Sequence, residues 1–124
     1  MYIIRGQIPS KSNCYKVIKK NGHASLAKQK VLEEYEKSFF LQCPERDRKL
    51  KGYFELHVKV FYRSNLPDLD NALKILLDCL QMTKTIDNDR YCTKIVAEKF
   101  VDKENPRVEY QIIPVGVSDG PLFE

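Results

Sequence analysis

Tyr53-Phe54-Glu55-Leu56-His57-Val58-Lys59-Val60-Phe61-Tyr62 is followed by the loop Arg63-Ser64-Asn65-Leu66-Pro67. Asp68-Leu69-Asp70-Asn71-Ala72-Leu73-Lys74-Ile75-Leu76-Leu77-Asp78-Cys79-Leu80-Gln81 comes next. In the first run Phe54, Leu56, Val58, Val60 and Tyr62 face one way and Glu55, His57 and Lys59 the other, the period of a half-buried strand. His57 falls on the polar face, which suits solvent exposure better than catalysis. Past Pro67 the period changes. Leu69, Leu73, Leu76, Leu77 and Leu80 recur at helical spacing, predicting a helix to about Gln81.

After the helix, Thr83 to Asp89 reads as a turn and Tyr91 to Val101 as a strand. Asn105-Pro106 turns the chain into Arg107 to Ile113, where Val108, Tyr110 and Ile112 alternate with polar residues. Pro114 to Glu124 carries turn formers and reads as a loose tail. Toward the N-terminus, Pro44 stops a helix predicted from about Leu26 to Gln42. Ser25 is its expected cap, and Val31, Leu32, Tyr35 and Phe39 its apolar stripe. Asn21-Gly22 predicts a tight turn within a basic hairpin across residues 15 to 25, since both positions tolerate positive φ. Tyr2 to Ile8 reads as a further strand. The expected architecture is α+β. A small sheet of about four strands carries two packed helices, with a basic β-hairpin near the N-terminus, as one domain over residues 1 to 113 and a tail over 114 to 124.

The 124 residues suffice for one domain. With 31% charged and 43% apolar residues, the composition excludes a disordered or membrane class. No apolar run is long enough to span a bilayer, and none behind Met1 reads as a secretory signal. Cys14, Cys43, Cys79 and Cys92 form no C-x-x-C pair. Neither His23 nor His57 completes a zinc spacing, so the thiols are expected reduced, in a cytoplasmic setting.

The net charge of +4 is unevenly spread. No acid precedes Glu33, while Arg5, Lys11, Lys16, Lys19, Lys20, Lys28 and Lys30 do. A basic N-terminal third beside an acid-bearing remainder suits a protein that holds a polyanion and binds metal cations. A solvated charged surface has the same composition.

The acids between Asp68 and Asp89 are the candidate chemistry: Asp68, Asp70, Asp78, Asp87 and Asp89. Carboxylates are the oxygen ligands Mg²⁺ takes, and one or two suffice when phosphate and water complete the shell. Asp68, still extended after Pro67, and Asp70, in the first helical turn, can reach one ion. Lys74 and Asp78 follow Asp70 along the same helix face, and an ammonium there can offset carboxylate repulsion and meet a phosphate. The same residues also suit an N-cap, a surface ion pair and ordinary turn chemistry.

Pro67-Asp68-Leu69-Asp70-Asn71 with Lys74, Asp78 and Leu80, then Ile86-Asp87-Asn88-Asp89 and a strand through Lys99, resembles the RusA family of Holliday-junction resolvases. Gly6-Gln7-Ile8-Pro9-Ser10-Lys11-Ser12-Asn13 is similar to that family's first strand and following loop. The resemblance covers roughly residues 2 to 113. It implies essential acids at Asp68, Asp70 and Asp89, which hold the metal, and a functional lysine at Lys74. Where the family shows two adjacent acids after the helix, this chain has Asp87-Asn88-Asp89. Asp89 aligns with the second acid, Asn88 replaces the first, and Asp87 is a candidate substitute.

The resemblance further implies a homodimer, in a bacterial or phage-infected cell, that binds a four-way DNA junction and nicks two strands symmetrically with Mg²⁺, Mn²⁺ being a substitute. Lys11, Lys16, Lys19 and Lys20 would grip the DNA backbone, with Tyr15 near exposed bases. Two alternatives are a non-catalytic DNA-binding module of the same ancestry and a metal-dependent nuclease with another branched substrate.

Overall fold

A computed structural model of the chain describes residues 1–10 and 14–116, with the side chains of residues 20, 25 and 26 outside the description. Among the described residues there are six strands: β1 (Tyr2–Arg5), β2 (Tyr15–Lys20), β3 (His23–Lys28), β4 (Phe54–Tyr62), β5 (Cys92–Val101) and β6 (Arg107–Pro114). The helices are α1 (Lys30–Gln42) and α2 (Leu69–Met82), and a 3₁₀ turn covers Asp89–Tyr91.

The main sheet runs in the order β1-β6-β4-β5, and β2 and β3 form a separate two-stranded hairpin. β4 and β5 are parallel, with Leu56 opposite Ile95 and Phe61 opposite Phe100. A parallel pair needs a crossover, and α2 is that crossover. β6 lies antiparallel to both β4 and β1, so the last strand fills the space between the first and the fourth.

The strict alternation of β4 delivers Phe54, Leu56, Val58, Val60 and Tyr62 to the core. Val108, Tyr110 and Ile112 from β6 join them, with Ile4 from β1. The helices close the core with Leu32, Tyr35 and Phe39 from α1 and Ala72, Ile75, Leu76, Leu77, Cys79 and Leu80 from α2. On the opposite face of the sheet, Phe61 stacks on Phe100 at 4.9 Å. There the Arg107 guanidinium lies 3.7 Å from the Phe61 ring centroid and pairs with Asp102 and Glu109. The four cysteines are free thiols; Cys14, Cys43 and Cys79 are buried. Among the described residues no helix is long and apolar enough to cross a membrane.

The N-terminal third departs from expectation. Ser25 does not cap α1. It sits opposite Ile18 in the β2–β3 ladder, and the helix begins at Lys30 behind Gln29. The reason is register. With Asn21 and Gly22 at φ of 53° and 78°, the turn sets six residues of β3 against six of β2, and that pairing claims residues 23–28 before a helix can start. Val31 is exposed, so the buried stripe of α1 is narrower than expected. β1 ends at Arg5 because Gly6 turns out with φ +102°, although Ile8 beyond it is buried. Residues 117–124 of the expected tail lie outside the described residues; Pro114 still pairs with Phe54, and the Val115 N–H donates to Tyr53 O.

Candidate metal and phosphate site at the head of the crossover helix

Tyr62 ends β4 and is buried, and its hydroxyl donates to the Asp68 carbonyl at 3.3 Å. From β5, Lys99 Nζ reaches under the same loop and donates to Pro67 O at 2.9 Å and Asn65 O at 3.2 Å. Two strands thus hold the loop that launches α2. Asp68 occupies the N-cap position with extended backbone, yet its carboxylate accepts no capping hydrogen bond from the first turn. That side chain forgoes the usual task of an N-cap aspartate and is exposed. Asp70, in the first turn of the helix, is exposed too. Burial, then Asp70, then Asp68 raise the Tyr62 phenol to about 12, so both carboxylates act on one buried hydroxyl. Tyr62 therefore stays protonated and able to donate at any physiological pH.

Lys74 does not pair with Asp70, the partner its spacing allowed. Its ammonium lies 2.8 Å from Asp89 Oδ2 and 3.1 Å from Asp78 Oδ1. The hydrogen bond to Asp89, then that to Asp78, raises the Lys74 pKa, keeping it cationic. The fold thereby brings Asp89, fifteen residues downstream, onto the α2 face that carries Lys74. Gln81 Oε1 accepts the Asp89 backbone N–H at 3.1 Å, and Asn88 Oδ1 accepts from Arg90 N at 3.0 Å. Asn88, the departure from the expected acid pair, is thus the cap of the 3₁₀ turn that presents Asp89. Asp87 is exposed on another side of this turn, in a cleft with Lys49, Lys51 and Lys84.

The donor chemistry suits a divalent ion of the Mg²⁺ type. Asp68 supplies hard oxygens, free of any capping bond, to an open pocket of about 270 Å³ that it lines with Ser10, Leu66, Pro67 and Asn71, and Asp70 follows it in the first turn of α2. Among the described residues no three carboxylate, histidine or cysteine groups form a ready metal cluster. Mg²⁺ needs only one or two carboxylates when phosphate and water complete its shell, so the residues fit. Asp89 is held by Lys74, which lies one helical turn along α2 from Asp70.

A second pocket of about 260 Å³ adjoins this face, lined in part by Tyr15, Asn71, Lys74 and Asp78. Tyr15 thus opens the basic hairpin beside the Lys74 face. Lys16 and Lys19 are exposed along β2. Lys11 lies outside the described residues, as does the Lys20 side chain. Sequence reasoning assigned no role to Tyr62, Lys99 or Gln81. Tyr62 read as core and Gln81 as a helix end. Lys99 alone gave a signal, a lysine on the buried-face register of β5, opposite Val60.

No curated protein matches the chain. The family model described as endodeoxyribonuclease RusA matches residues 7–113, from the loop after β1 to the end of β6. The match takes in the Asp68–Asp70 helix start, Lys74, the Asp89 turn and Lys99, and the chain belongs to the RusA endodeoxyribonuclease family.

Proposed function

We propose that this protein is a Mg²⁺-dependent endodeoxyribonuclease that resolves four-way DNA junctions by paired, symmetric nicks. The observation that carries the reading is the meeting of Lys74 and Asp89 on the helix that Asp68 and Asp70 begin. Asp68 and Asp70 would hold the ion, with Asp89 as the third carboxylate and Mn²⁺ as a substitute. When bound, the ion would activate the water that attacks the phosphorus and stabilise charge on the departing 3′ oxygen, which leaves as the 3′ hydroxyl.

The chain's own residues do the rest. Lys74 directs an ammonium to the phosphate, where negative charge grows in the transition state. Tyr62 and Lys99 fix the loop that aims Asp68. Lys11, Lys16, Lys19 and Lys20 grip the backbone of an arm, and Tyr15 faces bases opened near the crossover. The products would carry 5′ phosphate and 3′ hydroxyl ends. A homodimer belongs to the proposal because a junction of near twofold symmetry is cut twice. Support comes from β5, a ten-residue strand at the sheet edge with Ile95, Val96, Phe100 and Val101 exposed.

Asp70→Asn tests the reading. It removes an anionic ligand without weakening attraction to DNA, so cleavage should be lost while junction binding, read by gel shift, is kept or tightened. A fully active variant would overturn the assignment.

A further inference from the structure

Lys49, Lys51 and Lys84 line one cleft of about 410 Å³ together with Gln81, Ile86 and Asp87. The cleft is built by backbone. The connector after α1 is stitched to the turn after α2 by Asp47 N to Thr83 O (3.0 Å), Lys49 N to Lys84 O (2.8 Å), Leu50 N to Thr85 O (3.1 Å) and Asp87 N to Leu50 O (3.0 Å). Ile86, buried, forms its floor and bridges to Leu50. Beneath the turn, the Cys43 thiol lies 3.3 Å from the Thr85 hydroxyl, which is 2.8 Å from that of Thr83. Lys49 and Lys84 both hold left-handed backbone, at φ of 55° and 57°, a conformation the ladder of hydrogen bonds enforces.

Among the described residues, the three ammonium groups make no ion pair, whereas Lys28, Lys30 and Lys74 each have a carboxylate partner. Only Asp87 offsets them in the cleft lining. Three unpaired cations on a braced frame create a local positive potential suited to a polyanion. The cleft also shares a part with the candidate site. Gln81 lines it while its side-chain oxygen accepts the Asp89 N–H.

We propose that Lys49, Lys51 and Lys84 form a second phosphate-binding site for the sugar–phosphate backbone of a DNA arm. It flanks the Asp87–Asp89 turn and is formed by elements other than the N-terminal hairpin. This inference rests on the nuclease reading above and extends it. A strand held by the hairpin lysines and by this cleft crosses the Lys74–Asp89 face between two anchors. Gln81 then couples occupancy of the cleft to the seat of Asp89.

The test is junction binding by fluorescence anisotropy in EDTA over a range of salt, with the variant Lys49→Asn/Lys51→Gln/Lys84→Asn. Asparagine tolerates the left-handed backbone at the first and last positions. Neutralising the three ammonium groups should reduce the magnitude of the log–log salt slope by about 2 to 3. Lys103→Gln, in the turn between β5 and β6, should leave the slope unchanged. An unchanged slope in the triple variant, with the parent binding steeply, overturns the cleft and leaves the nuclease reading standing. An equal loss per charge at Lys103 also overturns it, by showing a general field effect. A parent that binds no junction overturns the nuclease reading and the cleft with it. Should the triple variant not fold, lysine acetylation of the parent, read by mass spectrometry, decides. Protection of Lys49, Lys51 and Lys84 by the junction supports the site, and equal labelling with and without DNA overturns it.

Discussion

Lys74→Ala separates what the ion pairs do for the fold from what the ammonium does for the chemistry. Lys74 lies 2.8 Å from Asp89 and 3.1 Å from Asp78, but its side chain is 66% exposed. Exposed pairs of this kind contribute about 0.2–1 kcal/mol each, so losing both should cost at most about 2 kcal/mol of stability. For a domain of this size that lowers Tm by at most about 8 °C. The variant should bind a junction nearly as well as the parent, because one cation among many is removed. Its cleavage rate at saturating enzyme should nevertheless fall by about 10²-fold or more, the scale of removing one electrostatic interaction with the transition state. Single-turnover strand cleavage beside a thermal melt reads both quantities. A Lys74→Ala protein that melts a few degrees lower and cleaves at the parental rate once bound would refute the role given to Lys74.

Asp89→Asn should damage cleavage far more than Asp87→Asn, because Asp89 meets Lys74 and Asp87 lies in the neighbouring lysine cleft; the reverse order in a strand-cleavage assay would show the wrong acid was chosen. Charge-neutral changes at Lys19 and Lys20 together should weaken junction binding and lower the salt slope by roughly 0.9 for each phosphate no longer neutralised, with the rate at saturation kept. An unchanged slope would remove the hairpin from the DNA interface. Lys99→Met deletes two donors to the loop before Asp68, so the Mg²⁺ concentration for half-maximal cleavage should rise by about tenfold or more, the usual cost of losing an outer support of a metal ligand. A metal titration identical to the parent's would contradict that positioning role.

The parts of the fold that were legible in the sequence are those where local period and tertiary burial agree. β4 and α2 are such parts: a strand alternating over nine residues and a helix with leucines along one face leave no competing reading. Ser25 is the opposite case. Its neighbours Leu26 and Ala27 suit a helix start, but pairing with residues 15–20 across the Asn21-Gly22 turn takes precedence. The acids at 68, 70 and 89 were legible as a spaced motif, but the partner of Lys74 was not. Spacing along α2 permitted Asp70, whereas the turn after α2 brings Asp89 within 2.8 Å. Tyr62 and Lys99 were missed as supports because their partners are backbone carbonyls, and a sequence carries no mark of which carbonyl a side chain will meet. The lysine cleft was missed for a related reason: its residues come from two segments far apart in the chain, joined mainly by backbone hydrogen bonds.

Junction resolution is decided by incubating the parental chain with a synthetic four-way junction, in Mg²⁺ and in EDTA, mapping both strands of each arm and offering the products to DNA ligase. Mg²⁺-dependent nicks are expected at symmetric positions in two strands, with ends that ligase seals and little cutting of the matching linear duplex. No cleavage with Mg²⁺ or Mn²⁺, or equal cutting of junction and duplex, would contradict it.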